Sequence, residues 1–239
     1  RLGFNNDGSE IISKRIADNQ PNGFLGINIG PNKETKNKEE DYYKCLSMLS
    51  RYAGYMTINI SSPNTEGLRN FHAEKEMSKL LIGLNKIKKN KNINQPIAIK
   101  LSPDINNEKI SMIIELVNKN NIQGIIVSNT TDSNRENLSD TKRNEVGGLS
   151  GQPLKNISTK LIKKFYRETK GKVKIIGVGG IDSGESAFEK ITAGANAVQL
   201  YTGMVYKGPG IVKEIKKELI SILKKENLKN ISEAVGINA

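Results

Sequence analysis

Short apolar, β-branched runs alternate along this chain with longer amphipathic stretches. The runs predict strands at Leu25–Gly30, Tyr55–Ser61, Ile97–Ser102, Gly124–Thr130, Lys174–Gly179 and Ala197–Thr202. Between them apolar residues recur at helical spacing, as in Ile110, Ile113, Ile114 and Val117, or Leu161, Ile162 and Phe165. The last helix is the plainest, with Ile211, Ile215, Leu219, Ile222 and Leu223 on one face and lysines opposite. Repeated βα units imply a parallel sheet with right-handed crossovers. An open doubly wound sheet and a closed (β/α)8 barrel both satisfy that pattern. The polar residues separate them. Asn28, Asn59, Ser102, Asn129, Gly180 and Thr202 fall at the ends of successive strands. A doubly wound sheet concentrates its chemistry at one switch point, whereas a barrel spreads it around one rim, so the α/β fold expected is a TIM-type barrel. Only six strands are visible, so the barrel would lack its first two. Residues 1–239 then read as one partial barrel domain, starting at Arg1 rather than at Met.

Composition changes this picture little. A chain of 239 residues with 36% hydrophobic content can bury a sizeable core. No apolar run approaches the roughly 18 residues of a membrane span, and no signal peptide is visible. The single Cys45 excludes an internal disulfide framework. It lies in a helical stretch with Tyr42, Met48 and Leu49, where it reads as a small core residue. A net charge of +12 raises the question of nucleic acid or anionic membrane. The excess is mostly Lys spread over helices, as at Lys213, Lys216, Lys217, Lys224 and Lys225, with no Trp and no RNA-type aromatic motif. That distribution reads as a solvated, compositionally biased surface with no nucleic-acid partner, compatible with weak attraction to anionic lipid. No Cys/His cluster has metal-ligand spacing, so no metal is expected.

The chemistry gathers at the strand ends. After Tyr55-Met56-Thr57-Ile58 comes a polar, Pro-broken loop, Asn59-Ile60-Ser61-Ser62-Pro63-Asn64, which puts hydroxyls and amides at a carboxyl end. An ordinary strand-to-helix turn draws on the same residue types. Lys100 interrupts the apolar run Ile97-Ala98-Ile99-Lys100-Leu101. Outward positions of barrel strands are covered by helices and a buried ammonium is costly unless paired, so Lys100 is expected to face a ligand inside the barrel. Asn129, Thr130 and Thr131 could hold a planar, multiply hydrogen-bonding substrate. Gly177-Val178-Gly179-Gly180-Ile181 leads from a strand into a helix, and Gln199-Leu200-Tyr201-Thr202-Gly203 ends the next strand. Together they suggest the phosphate site that barrels build after their last two strands. Gly147-Gly148-Leu149-Ser150-Gly151, taken alone, reads as a flexible turn, and Asp132 to Asn144 as a long exposed loop. His72, the only histidine, reads as a solvated surface residue.

The order Asn59-Ile60-Ser61-Ser62-Pro63-Asn64-Thr65-Glu66-Gly67-Leu68-Arg69 resembles the catalytic loop of dihydroorotate dehydrogenases. G-I-N-I-G at Gly26 to Gly30, I-K-L-S-P-D at Ile99 to Asp104, S-N-T-T at Ser128 to Thr131, G-G-L-S-G, G-V-G-G-I and Q-L-Y-T extend the resemblance over essentially the whole chain. Ser rather than Cys at position 62 points to the quinone-linked, membrane-associated class 2 enzymes. The resemblance implies a TIM-type barrel that holds FMN and oxidises dihydroorotate to orotate in pyrimidine synthesis, with a quinone as acceptor. Ser62 would be the base that takes the C5 proton, while a hydride passes from C6 to the flavin. Gly3, Phe4, Asn59, Asn64, Asn129 and Thr130 would hold the substrate. Asn28, Asn59, Lys100, Ser128, Gly151, Gly180, Tyr201 and Thr202 would hold FMN, Lys100 beside its pyrimidine end and the glycines, Tyr201 and Thr202 mainly around its phosphate.

The same resemblance implies peripheral membrane association through N-terminal helices that this sequence lacks, at a bacterial inner membrane's cytoplasmic face or the mitochondrial inner membrane. The first two barrel strands, with their flavin contacts and a substrate-binding Lys, are lacking too, and Pro31 stands where many relatives have Lys. Other FMN barrels remain as alternatives: a class 1 enzyme, which Ser62 disfavours, or a dihydrouridine synthase, which needs a Cys that this loop does not carry. A flavin-binding fragment without activity is the reading from a different class.

Overall fold

The computed structural model describes residues 5–63, 67–133, 135–136 and 138–239. Six strands, β1 (Gly26–Ile29), β2 (Tyr55–Asn59), β3 (Ile97–Leu101), β4 (Gly124–Val127), β5 (Lys174–Val178) and β6 (Ala197–Gln199), form one sheet in which each strand pairs in parallel with the next. The helices are α1 (Ser9–Asp18), α2 (Lys38–Leu49), α3 (Glu74–Asn90), α4 (Asn107–Lys119), α5 (Lys155–Thr169), α6 (Gly184–Thr192), α7 (Thr202–Lys207) and α8 (Ile211–Lys225). Every expected strand is present, shortened at its carboxyl end where the chain peels away into the loops.

The strictly sequential strand order has no switch point, which removes the doubly wound alternative. One sheet face is covered by helices. Ile27, Ile29, Met56, Ile58, Ile97, Ile99, Leu101, Ile125, Val127 and Ile175 alternate onto it and form a single core with apolar residues of α2 to α5. In α4, Ile110, Ile113, Ile114 and Val117 are buried at the predicted spacing, each burial contributing about 1.5–3 kcal/mol before entropy is counted. The side chain of Asn106 starts that helix by accepting from Lys109 N–H at 3.0 Å. A second apolar cluster, Ile181, Ala187, Ile211 and Ile215 with Val198 and Leu219, holds α6 and α8 together, and the predicted face of α8 supplies much of it.

The other sheet face lines the barrel interior. The register sets Asn59 beside Lys100, Lys100 beside Ile126, and Ile126 beside Ile176 along one inner row. The Gln199 amide on β6 donates to the Tyr55 hydroxyl on β2 at 3.0 Å, although three strands separate them in the sheet. A flat or simply twisted sheet could not bring those side chains together. The strands are curled into a barrel wall, open between β1 and β6.

Candidate active site

The rim of this wall is built from the loops that leave the strands' carboxyl ends. Lys100, Ser128, Asn129, Thr130, Gly151, Gly180, Tyr201 and Thr202, all singled out from the sequence, line one cavity of ≈ 720 Å³ there, a size within the usual range for ligand pockets. Asn59 and Ser62 lie beside it at the end of β2, both buried. Asn28 is exposed on the interior face of β1, in register with Thr57, and does not line that cavity. Gly3, Phe4 and Asn64 lie outside the described residues.

At the end of β2 the amides are interlocked. Asn59 Oδ1 accepts from Ser61 Oγ at 3.1 Å and from Asn129 Nδ2 at 3.2 Å, and Asn129 Nδ2 also donates to Ser61 Oγ at 3.0 Å. From α2 the Tyr42 hydroxyl donates to the Asn59 carbonyl at 2.5 Å, its phenol pushed far up in pKa by burial. Of the two adjacent serines, Ser61 is therefore committed to fixing amides, and its hydroxyl holds Asn59 and Asn129 together across the rim.

Two side chains lining the cavity find no partner among the described residues. Lys100 makes no ion pair or hydrogen bond among the described residues, and burial lowers its pKa. Thr130 Oγ1 is buried without a hydrogen-bond partner among the described residues. An unpaired ammonium and an unsatisfied hydroxyl on one cavity call for a ligand with acceptor atoms. At the far end the backbone comes to the surface. Gly180 has φ 72°, and a Cβ there would lie 2.8 Å from Lys155 Cα, so no side chain fits between this turn and α5. Thr202 Oγ1 donates to Ser150 Oγ at 3.0 Å, joining the β6 loop to the glycine cluster, and Lys207 Nζ donates to the Asp182 carbonyl at 2.9 Å.

Two readings of the sequence change here. His72 is 2% exposed rather than solvated. Its Nδ1 faces the Arg69 carbonyl at 3.1 Å and its Nε2 faces the Ser102 N–H at 3.4 Å, which fits a neutral ring donating through Nδ1. Burial pushes its pKa down to about 4. Leu68, Phe71 and His72 are all buried on one side of a 3₁₀ turn, Leu68–His72, and that i, i+3, i+4 spacing is the signal that marks His72 as internal. The cluster Gly147–Gly151 is no free turn: Thr131 and Leu149 exchange two backbone hydrogen bonds, 3.1 and 2.7 Å, which lay the cluster along the rim. The described part of the long loop after Asp132 is mostly exposed, as expected, and Arg135 organises it by donating to the carbonyls of Asp132, Arg143, Glu145 and Gly147. Cys45, by contrast, packs against the core as anticipated, its thiol pushed up by burial.

Fold and site together define a parallel βα-barrel protein with a ligand cavity at the carboxyl ends of its strands. The chain belongs to the dihydroorotate dehydrogenase family, whose model matches residues 1–223. It is 44% identical to the dihydroorotate dehydrogenase (quinone) of Trichodesmium erythraeum, over 99% of this chain and 65% of that protein. It is 38% identical to the enzyme of the same name from Rhodopseudomonas palustris, over 100% of this chain and 67% of that protein. The chain thus spans about two thirds of the length of these relatives. Among solved structures, DHODH of Eimeria tenella in complex with ferulenol superposes with a TM-score of 0.94 at 32% identity, covering 100% of this chain and 70% of that one. No helix among the described residues is long and apolar enough to cross a membrane.

Proposed function

We propose that this protein carries the catalytic barrel of a quinone-dependent dihydroorotate dehydrogenase, which oxidises dihydroorotate to orotate with FMN as cofactor. The observation that carries the reading is a Lys100 ammonium and a Thr130 hydroxyl, both without a partner among the described residues, on a cavity that ends in the Gly180 turn. Those residues fit FMN. Lys100 supplies a positive charge for an electron-rich ring edge, and the Gly151, Gly180, Tyr201 and Thr202 end offers room and backbone to a phosphate. Asn28, Asn59 and Ser128 complete the flavin-holding set. Bound FMN supplies the acceptor for the hydride that leaves the substrate.

The chain's own residues handle the rest. Asn59, Asn129 and Thr130, with Gly3, Phe4 and Asn64, hold the ring and carboxylate of dihydroorotate, and the fixed amides limit how the ring can turn. Ser62 takes the proton from C5. A serine hydroxyl is a poor base in water, so its burial, at 7% exposure, is part of the chemistry. Quinone is the acceptor in the oxidative half, reached at a membrane with which the full-length protein associates peripherally.

The test is dihydroorotate oxidation by the full-length protein with a quinone analogue and, separately, with fumarate. Turnover with quinone alone, falling by about 10²–10⁴ in Ser62→Ala while flavin stays bound, is the expected result. Fumarate-driven turnover, or activity that survives without Ser62, overturns the assignment.

A further inference from the structure

Arg69, in the Leu68–His72 turn that follows the β2 loop, reaches three parts of the rim at once. Its Nη1 pairs with Asp132 at 2.8 Å and its Nη2 with Asp104 at 3.1 Å. Nε donates to the Ser61 carbonyl at 3.4 Å and Nη2 to the Thr130 carbonyl at 3.3 Å. One guanidinium therefore joins the loops after β2, β3 and β4. Its side chain is 27% exposed and that of Asp104 22%, so this is no solvent-screened surface pair. Asp104 is itself anchored: Oδ1 accepts from Thr131 Oγ1 at 2.5 Å and Oδ2 from Asp132 N–H at 3.4 Å. The two carbonyls that Arg69 holds belong to the residue before Ser62 and to Thr130 itself.

We infer that Arg69 is the positioning residue of this site: by clamping the Ser61 and Thr130 carbonyls between Asp104 and Asp132, it fixes Ser62 relative to the ring that Thr130 and Asn129 hold. The clamp rests on the functional reading above. Its geometry needs a planar fork with donors on several edges, because two carboxylates and two carbonyls approach from different directions. An ammonium at this position keeps the charge and loses the fork. An apolar side chain does more damage, leaving Asp104 and Asp132 facing each other without a cation and pushing the β3 and β4 loops apart. In either case the proton-accepting oxygen drifts from its place above C5 while the groups that bind the ring remain.

The experiment uses the full-length, flavin-loaded protein with Arg69→Lys and Arg69→Met. It reads the rate constant of flavin reduction at saturating dihydroorotate, the orotate dissociation constant, flavin content, and backbone hydrogen exchange around Ser62 and Thr130. The expected result for Arg69→Lys is a reduction rate lower by roughly tenfold to a hundredfold. Orotate affinity should stay within about threefold, with normal flavin content and faster exchange in both segments. A reduction rate within about twofold of the unmodified protein overturns the clamp. So does a loss of rate matched by an equal loss of orotate affinity, which marks a binding role. If the unmodified protein fails to oxidise dihydroorotate, the functional reading falls and the exchange measurement alone decides: faster exchange in Arg69→Lys upholds the clamp, and unchanged exchange overturns it. Should Arg69→Met prove too unstable to purify, Arg69→Lys carries the test.

Discussion

Lys100 is held where an ammonium is least comfortable, on an inner barrel strand between Asn59 of β2 and Ile126 of β4, with burial lowering its pKa. A ligand that accepts from it offsets that cost. Lys100→Met should therefore leave the flavin-free protein as stable as before or more so, while weakening FMN binding by about tenfold or more, some 1.4 kcal/mol. Thermal unfolding with and without FMN checks both halves, because the gain in stability on adding FMN should shrink in the variant. A variant that loses stability without flavin and binds it normally would make Lys100 a structural residue. Lys100 was legible in the sequence because a charge inside an apolar β run has few physical explanations. Ser62 is singled out only by the order of residues around it, since Ser-Pro-Asn by itself is turn chemistry, and its role as the base rests on the proposal above. Arg69 was not legible as a hub. Asp104 and Asp132 are far along the chain, and a single sequence does not show which distant carboxylates a guanidinium will meet.

The 3₁₀ turn Leu68–His72 is the element that hands the β2 loop back to the helical layer. Phe71 packs edge-on against Tyr42 of α2, ring centroids 5.8 Å apart, and His72 receives the N–H of Ser102 at the end of β3. The neutral ring ties pH to stability with a definite sign. Its pKa is about 4 in the folded protein and 6.5 in the unfolded chain, so the unfolded state takes up the proton first. The contribution is full above pH 6.5 and is lost as pH falls toward 4, on the order of 3 kcal/mol across that window. Urea unfolding at pH 7 and pH 4.5 should show that loss, and His72→Gln should flatten this part of the slope at the cost of lower stability at pH 7. Strand ends show why element boundaries were harder to read than element identities. The residues of Ser102 and Asn129 continue the β pattern, but Ser102 Oγ accepts from the Asp104 N–H at 3.1 Å and Asn129 Oδ1 accepts from the Thr130 N–H at 2.8 Å, so local turns end the strands early. Lys190 of α6 is another element-scale surprise. It is 0% exposed, its ammonium donating to the Lys155 carbonyl at 2.8 Å and to Thr159 Oγ1 at 2.7 Å, which staples α6 to the start of α5. Nothing in Phe188-Glu189-Lys190-Ile191 distinguishes it from a surface lysine.

At the scale of the molecule, the periodic pattern conveyed the architecture, because a barrel wall needs only repeated βα units with one helix-covered strand face. The curl of that wall needed the structure. Tyr55 leans across the interior to receive the Gln199 amide, and it has room because its neighbour on β1 is Gly26, where a Cβ would lie 2.2 Å from the Tyr55 ring. Phe24 stacks on the same ring at 5.8 Å. Tyr55→Phe removes the acceptor and keeps the stack, so it should cost about 1 kcal/mol, read as a lower urea midpoint with an unchanged slope. An unchanged midpoint would mean that the covering helices alone hold the curvature. The sequential pairing of strands has a further consequence, for the order in which the chain is made. From β2 onward each strand emerges with a partner already synthesised, and the start of β3 follows the start of β2 by 42 residues (97 − 55). At about 5–20 residues per second, a ribosome takes roughly two to eight seconds to deliver that unit, far longer than a helix or strand pair needs to form. The wall can therefore grow one unit at a time behind the ribosome, and the bond between Tyr55 and Gln199, which joins residues 144 apart in the chain, is left to close late.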